Sequence, residues 1–467
     1  MVFPIAGGTQ DTGYEISNSL RFNEADTAEL TITPSSAGNR RVFTFSCWVK
    51  RSGISNRGVL FRTGGSGDSQ IFEFIFHQSN YIMLGLATVN VIETNALFRD
   101  PSAWYHIVLA VDTTDGTASN RVKLYVNGQQ NTSWSVTNLP SQNHDYGIGR
   151  ASTEHTIGAS QDGGDPFEGY MADVHYIDGI QYAASDFGET NDNGVWIPKK
   201  FTGSFGSNGF KLEFKQTGTS QNSSGIGADT SGNDNHMAVN NLTATDVTTD
   251  TPTNNFATFN SANLFNSPVL SEGNVQFDSN SSSGSSVVTT IAPSNGKWYA
   301  EAKIAPAASA GAVVAVSVGV SEVGKEAFNV KGQGASRPNV GYNYGDNINT
   351  NVEIDGSLID TESQYRAGDI VGIALNLDDG EVTFYLNGTA INSGTAYNLH
   401  TNSTHENTGF SVQTHTSSGN QIVSFNFGNP AFSISSGNAD ANGYGQFKYS
   451  VPSGYYALCT KNLAEYG

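Results

Sequence analysis

Cysteine is almost absent from this chain: Cys47 and Cys459 are its only two in 467 residues. That excludes a disulfide-stapled scaffold and a cysteine-ligated zinc site, and both thiols are expected to be buried. Charge is scarce too. Charged residues make up 14%, and 23 Lys and Arg face 43 Asp and Glu, for a net charge of -20. The densest basic pairs are Arg40-Arg41 and Lys199-Lys200. Such a chain has no stripe that tracks phosphates, so no nucleic acid partner is expected. No apolar run reaches the length of a bilayer, so no membrane insertion is expected. Residues 1–8 have neither a charged nor an apolar signal region, so no signal peptide is expected and synthesis is cytoplasmic. No segment holds a 3.6-residue apolar period over three turns. Helix is expected only as a turn near 184–188.

Glycine, at 52 residues, and aromatics, at 11%, are plentiful. Together they describe short strands joined by many turns around aromatic cores. One hairpin is spelled twice. Ile107-Val108-Leu109-Ala110-Val111-Asp112 leads through Asp115-Gly116 to Val122-Lys123-Leu124-Tyr125-Val126-Asn127-Gly128. About 260 residues later, Val371-Gly372-Ile373-Ala374-Leu375-Asn376 leads through Asp379-Gly380 to Val382-Thr383-Phe384-Tyr385-Leu386-Asn387-Gly388. Asp-Gly and Asn-Gly accept positive φ and so close hairpins. Two all-β domains follow. Strands are predicted at 19–22, 43–50, 59–62, 71–77, 81–87, 105–112, 122–126 and 171–177. A second set is predicted at 296–304, 313–321, 370–377, 381–386, 409–414 and 422–427. Between them, Asn, Thr, Ser and Gly dominate, although Trp196, Phe201, Phe205, Phe210 and Phe214 argue for packing rather than a free linker. The expected domains are 1–190 and 266–467, with 191–265 as an irregular connector.

Ser19-Leu20-Arg21-Phe22, Phe45-Ser46-Cys47-Trp48-Val49-Lys50-Arg51, Trp104-Tyr105-His106-Ile107-Val108 and Leu124-Tyr125-Val126-Asn127-Gly128 resemble a laminin-G-like, concanavalin A-like jelly roll. Trp298-Tyr299-Ala300-Glu301, Gly368-Asp369-Ile370-Val371-Gly372-Ile373 and Thr383-Phe384-Tyr385-Leu386-Asn387-Gly388 resemble a SPRY domain. The resemblance therefore implies an all-β chain of two concanavalin A-like jelly-roll β-sandwiches joined by the connector. As a whole the chain is similar to tail-fibre or virion-surface proteins of marine tailed bacteriophages. Trp196-Ile197-Pro198-Lys199-Lys200-Phe201-Thr202-Gly203, Asp229-Thr230-Ser231-Gly232-Asn233 and Ala457-Leu458-Cys459-Thr460-Lys461-Asn462-Leu463 carry that similarity. It implies a non-enzymatic virion component, a tail-fibre or tail-associated adhesin that binds host surface glycan or protein. The alternative is a capsid decoration or tail-assembly protein. Other virion proteins and further copies of the chain, as a trimer in a fibre, are the implied partners.

Glycosidases on such a sandwich place paired carboxylates on one strand, as Glu-x-Asp-x-x-Glu. The nearest match, Glu353-Ile354-Asp355-Gly356-Ser357-Leu358, ends in Leu, and neither Gly-x-Ser-x-Gly nor His-Glu-x-x-His occurs. No catalytic residues are expected. Laminin-G-like domains often hold calcium, and Asp112, Asp115, Asp162 and Asp165 lie in or beside loops that offer oxygen ligands. The competing reading is that these carboxylates cap their own turns; no other cofactor is expected. His106 and His175 alternate with apolar residues and are expected to be satisfied inside or at a face. Sugar binding needs aromatic faces beside amide and carboxylate groups. Tyr342, Asn343, Tyr344 and Asp346 in one expected loop, with Tyr146 and Trp134, offer that mix.

Overall fold

In the computed structural model of the chain, alternation along the strand Val42–Arg51 sets the plan of the N-terminal part. Phe43, Phe45, Cys47 and Val49 face one side and join the core. Thr44, Ser46, Trp48 and Lys50 face the other. The structure describes residues 13–65, 67–280, 284–305, 316–323, 339–344, 350–354, 357–362, 365–399, 406–414 and 421–467. They divide into one unit ending at Thr253 and another beginning at Asn254.

Two eight-stranded antiparallel sheets make the N-terminal sandwich. The first runs Gln129–Gln130, Val122–Val126, Trp104–Asp112, Val42–Arg51, Gly169–Asp178, Ser19–Phe22, Val247–Thr248, with Phe210–Leu212 also on Gly169–Asp178. The second runs Trp134–Thr137, Asn90–Thr94, Ile82–Leu86, Phe72–Phe76, Gly58–Thr63, His155–Ile157, Glu29–Ile32, Ala238–Asn240. Aromatic rings join them: Phe45 stacks on Phe61 at 5.1 Å, and Phe43 meets Phe72 edge-on at 5.7 Å. The first sheet is covered outside as well. Val108, Ile177, Ala184, Phe187 and Phe201 bury one another there, and Trp48 packs with Ile16 and Ala172. Every residue of Gly169–Asp178 is consequently buried. The second sheet instead carries charged and hydroxyl side chains on its outer face.

The expected connector is divided between the units. Phe210–Leu212, Ala238–Asn240 and Val247–Thr248 pair into the N-terminal sheets. Lys50 Nζ lies 2.9 Å from Asp250 Oδ2, and both side chains are at most 1% exposed. Phe256, Ala257 and Phe259 belong to the C-terminal unit, where Phe259 packs edge-on against Phe425 at 4.8 Å. Strands of two or three residues are too short to show alternation, which is why composition alone reads this stretch as irregular. A fragment of residues 254–467 is expected to melt cooperatively. A fragment starting at 266 loses Phe256, Ala257 and Phe259 and should be less stable by about 3–5 kcal/mol, because buried aromatics go. Urea melts of the two fragments check this, and equal midpoints would place the boundary later in the chain.

The C-terminal unit pairs a nine-stranded sheet with a six-stranded one. The larger runs Val269–Ser271, Gln276–Asp278, Ile422–Asn426, Lys297–Ile304, Ile370–Asn376, Glu381–Leu386, Thr389–Ala390; Tyr397–Asn398 and Tyr456–Ala457 pair off this path. The smaller runs Ser286–Val288, Thr408–Thr414, Val316–Glu322, Asn339–Tyr344, Thr350–Ile354, Ser357–Glu362. Trp298, Ile373, Phe384, Val318, Tyr342 and Phe410 fill the space between. Glu301 is fully buried, and its carboxylate accepts the Lys448 and Tyr449 amides and the Asn426 side chain. It thereby pins the segment after Asn426 to the sheet.

In the repeated hairpins both Asn-Gly pairs turn at positive φ as the sequence predicts; of the Asp-Gly glycines Gly380 does so at 70° and Gly116 does not. Asn127 and Gly128 have φ of 47° and 78°, and Asn387 and Gly388 have 50° and 81°. A 3₁₀ turn occupies Ala184–Asp186, within the predicted helical turn. The α-helix Thr460–Tyr466 was not foreseen; Tyr466 stacks on Tyr456 at 3.9 Å to hold it. Both cysteines are buried free thiols. No helix among the described residues is long and apolar enough to cross a membrane.

Candidate functional site

Strand register assembles a polar row on the outer face of the second N-terminal sheet. Gly85 pairs with Glu73, Glu73 with Arg62, Arg62 with Thr156, Thr156 with Thr31, and Thr31 with Ala238. These residues alternate with core residues on each strand, so their side chains share one face. Phe72 and Phe74 flank Glu73 inward, His155 and Ile157 flank Thr156, and Leu30 and Ile32 flank Thr31. Gly85 leaves Glu73 room, since a Cβ there would meet Glu73 Oε1 at 2.9 Å. Beside the row, Val59, Ile75 and Met83 form a small apolar floor with Tyr81, whose ring stacks on His77 at 4.3 Å.

Charge on this face is mixed and mostly paired. Arg57 reaches Asp165 at 3.0 Å and Glu73 at 3.4 Å. Arg62 lies 3.9 Å from both Glu73 and Asp162. Glu93 pairs in register with Met83 and accepts the Asn90 amide at 2.6 Å. Burial pushes the Glu29 carboxyl up to about 7; the charge of Glu154 adds to the rise and the Asn240 amide opposes it. Three polar atoms have no hydrogen-bond partner: Arg62 Nε, Thr156 Oγ1 and Glu29 Oε2. A buried polar group without a hydrogen-bond partner costs about 1–3 kcal/mol.

The residues expected from sequence fall elsewhere. Tyr146 is fully buried, edge-on to Phe43 and Phe72 at 5.7 and 5.8 Å, so it serves the core and not a ligand. Tyr342 is likewise buried, against Tyr365 and Phe384. The stretch expected as a loop is in part strand, Asn339–Tyr344, and alternation turns Tyr342 into the core. Asn343 sits in register between Ser317 and Asn351, and Tyr344 ends that strand; Asp346 lies outside the described residues. Trp134 is half-buried on an edge strand of the second sheet and packs inward on the core.

The four aspartates are not gathered into a cation cage. Asp112 accepts the Thr114 amide and hydroxyl, and Asp115 accepts the Thr117 amide, as turn caps. Asp162 accepts the Ser160 hydroxyl, and Asp165 faces Arg57. Among the described residues no three His, Cys, Asp or Glu side chains come together as metal ligands. His106 is satisfied inside: its Nε2 lies 2.9 Å from the Ser46 hydroxyl, and Trp196 Nε1 donates to its Nδ1 at 3.0 Å. His175 donates from Nδ1 to the Asp173 carbonyl, while its Nε2 makes no hydrogen bond and faces the Asp173 carboxylate at 3.9 Å. A hollow at one end of the sandwich, lined by Ile32, Pro34, His155, Tyr176 and Phe210, has room for about one water and none for a sugar ring.

Neither Glu73 nor Glu29 fits glycoside hydrolysis. Glu73 is the only acid on Phe72–Phe76, and its oxygens face two guanidiniums. Glu29 is the only acid on Glu29–Ile32. The paired acids that such chemistry uses on one strand are missing from both.

With this geometry in view, residues 24–180 match a laminin G-type family described as the Concanavalin A-like lectin/glucanases superfamily. That stretch therefore has the concanavalin A-like sandwich fold. The match ends before Phe210–Leu212, Ala238–Asn240 and Val247–Thr248, which complete its sheets. Among solved structures the chain is similar to the SPRY domain of human HERC1, at 15% identity over 36% of this chain and 96% of that one, TM-score 0.30. It is also similar to a heptameric SAP-like pentraxin from Limulus polyphemus, at 21% identity over 36% and 80%, TM-score 0.29. A third is a candidate carbohydrate binding protein from Bacteroides ovatus, at 14% identity over 49% and 59%, TM-score 0.32. No curated protein matches the chain.

Proposed function

We propose that this is a non-enzymatic, glycan-binding surface protein whose N-terminal sandwich contacts the ligand. The observation that carries the reading is the row Glu73–Arg62–Thr156–Thr31, where donors and acceptors stand in register on one outer sheet face. Tyr81 and His77, stacked on each other beyond the apolar floor of the same face, add aromatic surface on which a sugar's C–H face stacks. The lectin-type family of residues 24–180 supports the same reading.

The finer assignment rests on the sequence resemblance: a tail-fibre or tail-associated adhesin of a tailed phage. It would be made in the host cytoplasm, act on the virion as a homo-oligomer, and bind host surface glycan or protein. Single contacts would be weak, and copy number would supply the strength. The competing assignment is a capsid decoration or tail-assembly protein. Sandwiches without a shaft favour it, since among the described residues no coiled-coil helix is present. Immunogold microscopy of virions with antibody to the purified protein separates the two. Gold at the distal tail is the expected result; gold spread over the capsid would replace the adhesin with a decoration protein. Incubation with capsular polysaccharide should release no reducing ends, and their release would overturn the non-enzymatic reading.

A further inference from the structure

In an Asn-Gly pair the glycine nitrogen can attack the asparagine side chain, because glycine puts no Cβ in the way. The nitrogen gives up its proton to solvent base and bonds to the Asn Cγ, and the side-chain nitrogen leaves as ammonia. Water then opens the succinimide ring at either carbonyl. The products are Asp, or an isoaspartyl link in which the main chain runs through Cβ. The reaction needs an asparagine side chain free to turn onto its own main chain and a glycine that solvent can reach.

The chain holds six such pairs. In all but one the fold stands in the way. Asn127 Oδ1 accepts the His106 amide at 2.8 Å. Asn387 Oδ1 accepts the Ile370 amide at 3.0 Å, and its Nδ2 donates to Asp369 at 2.8 Å. Asn208 Nδ2 donates to the Ser36 carbonyl and Asn442 Nδ2 to Asn462 Oδ1, each at 2.9 Å. Asn295 is exposed, but Gly296 is buried and its N–H donates to the Asp378 carboxylate at 2.7 Å. Taking that proton would leave one anion against another.

Asn193-Gly194 is the exception. Both residues are exposed, at the tip of the hairpin that pairs Gly188–Thr190 with Trp196–Pro198. Asn191 holds this turn: its Oδ1 accepts the Asn193 amide at 3.0 Å and the Val195 amide at 2.9 Å. Its main-chain carbonyl accepts the Gly194 amide at 2.9 Å. The Asn193 side chain takes no part in these bonds, and a Cβ on Gly194 would meet nothing within 4 Å. The Gly194 proton is thus held by a neutral carbonyl on a solvated turn.

We infer that Asn193 is where the folded chain deamidates, through a succinimide with Gly194, and that the isoaspartyl product unseats Trp196 from His106. Thr190 pairs with Trp196, whose Nε1 donates to His106 Nδ1 at 3.0 Å. Loop length selects the turn that closes a hairpin. An isoaspartyl link at 193 lengthens the main chain within that turn, so the pairing that seats Trp196 loosens.

The test ages the full chain in mildly alkaline buffer, folded and in urea, and follows each Asn-Gly peptide by mass spectrometry, with isoaspartate read by enzymatic methylation. In the folded chain the Asn193 peptide is expected to convert at least tenfold faster than the other five. In urea all six should convert at comparable rates. Tryptophan emission of the folded parent should shift as Asn193 converts. Asn193→Gln should melt as the fresh parent does and age without that shift. Faster conversion at another pair in the folded chain, or the same preference for Asn193 in urea, would overturn the assignment of the site to the fold. Conversion at Asn193 with unchanged emission would overturn the unseating of Trp196.

Discussion

Asp250→Ala should lower the stability of the N-terminal unit by about 3–5 kcal/mol. The reason is what it leaves behind. The Lys50 ammonium lies 1% exposed, its carboxylate partner fully buried at 2.9 Å, with Trp104 Nε1 donating to the other carboxylate oxygen at 3.2 Å. Removing the carboxylate strands a charge in a dry site without its counter-ion. For a unit of this size the loss amounts to about 10 °C or more in melting temperature. The double variant Lys50→Met/Asp250→Leu removes both charges, and most of the stability should return, because two apolar groups replace a pair that was costly to desolvate. Scanning calorimetry reads both. A melt of Asp250→Ala within about 2 °C of the parent would mean the pair is not buried in solution. A chain ended at residue 190 should fare worse still, since it loses Asp250 together with Phe210–Leu212, Ala238–Asn240 and Val247–Thr248.

That pair also shows where sequence reasoning stops. The long strands were legible because a continuous apolar run, as in Trp104–Asp112, or apolar alternation, as in Glu381–Leu386, leads to Asn-Gly or Asp-Gly. Glu29–Ile32, Asn90–Thr94, Trp134–Thr137 and His155–Ile157 escaped notice because three to five residues give alternation too little length. All four belong to the second sheet, and two of them carry the candidate site. Glu29, Arg62, Glu73 and Thr156 are each an ordinary outward residue on its own strand. Only register makes them neighbours, and register over 127 residues of chain has no local signal. Tyr146 and Tyr342 misled for the opposite reason. They stand among Asp, Asn and Gly, yet both rings turn inward. The aspartates expected to hold calcium are caps and ion-pair partners, uses that demand the same residues at the same loop positions.

Acid should unfold the N-terminal unit before the C-terminal one. Burial holds His106 down at about 3, with His175 adding to the fall, and holds His155 down at about 4, against a smaller opposing effect of the Thr153 carbonyl. Burial also lowers His175, which Asp173 partly offsets. A histidine with a folded value below its unfolded value of about 6.5 takes up its proton only on unfolding. The unfolded state then binds more protons, so stability is complete above about pH 6.5 and is lost as pH falls toward 4 and then 3. At pH 5 His106 and His155 should each cost about 2 kcal/mol. The Glu29 carboxyl works against this, because a raised folded value returns stability as pH falls below about 7. It is half-buried, however, and solvent discounts its share. In the C-terminal unit burial raises the Glu301 carboxyl despite the Lys448 and Tyr449 amides, so its protonation favours the folded form in acid. Urea melts at pH 7.5 and pH 5 should therefore show one transition moving sharply and the other little. Trp48 and Trp196 flank the His106 ring at 4.8 and 6.0 Å, so tryptophan fluorescence should follow the moving transition. His106→Gln and His155→Gln should each shrink that movement in part, His175 keeping the remainder. If both transitions moved together in the parent, or the histidine variants kept its full pH slope, the buried imidazoles would not be the acid-labile element.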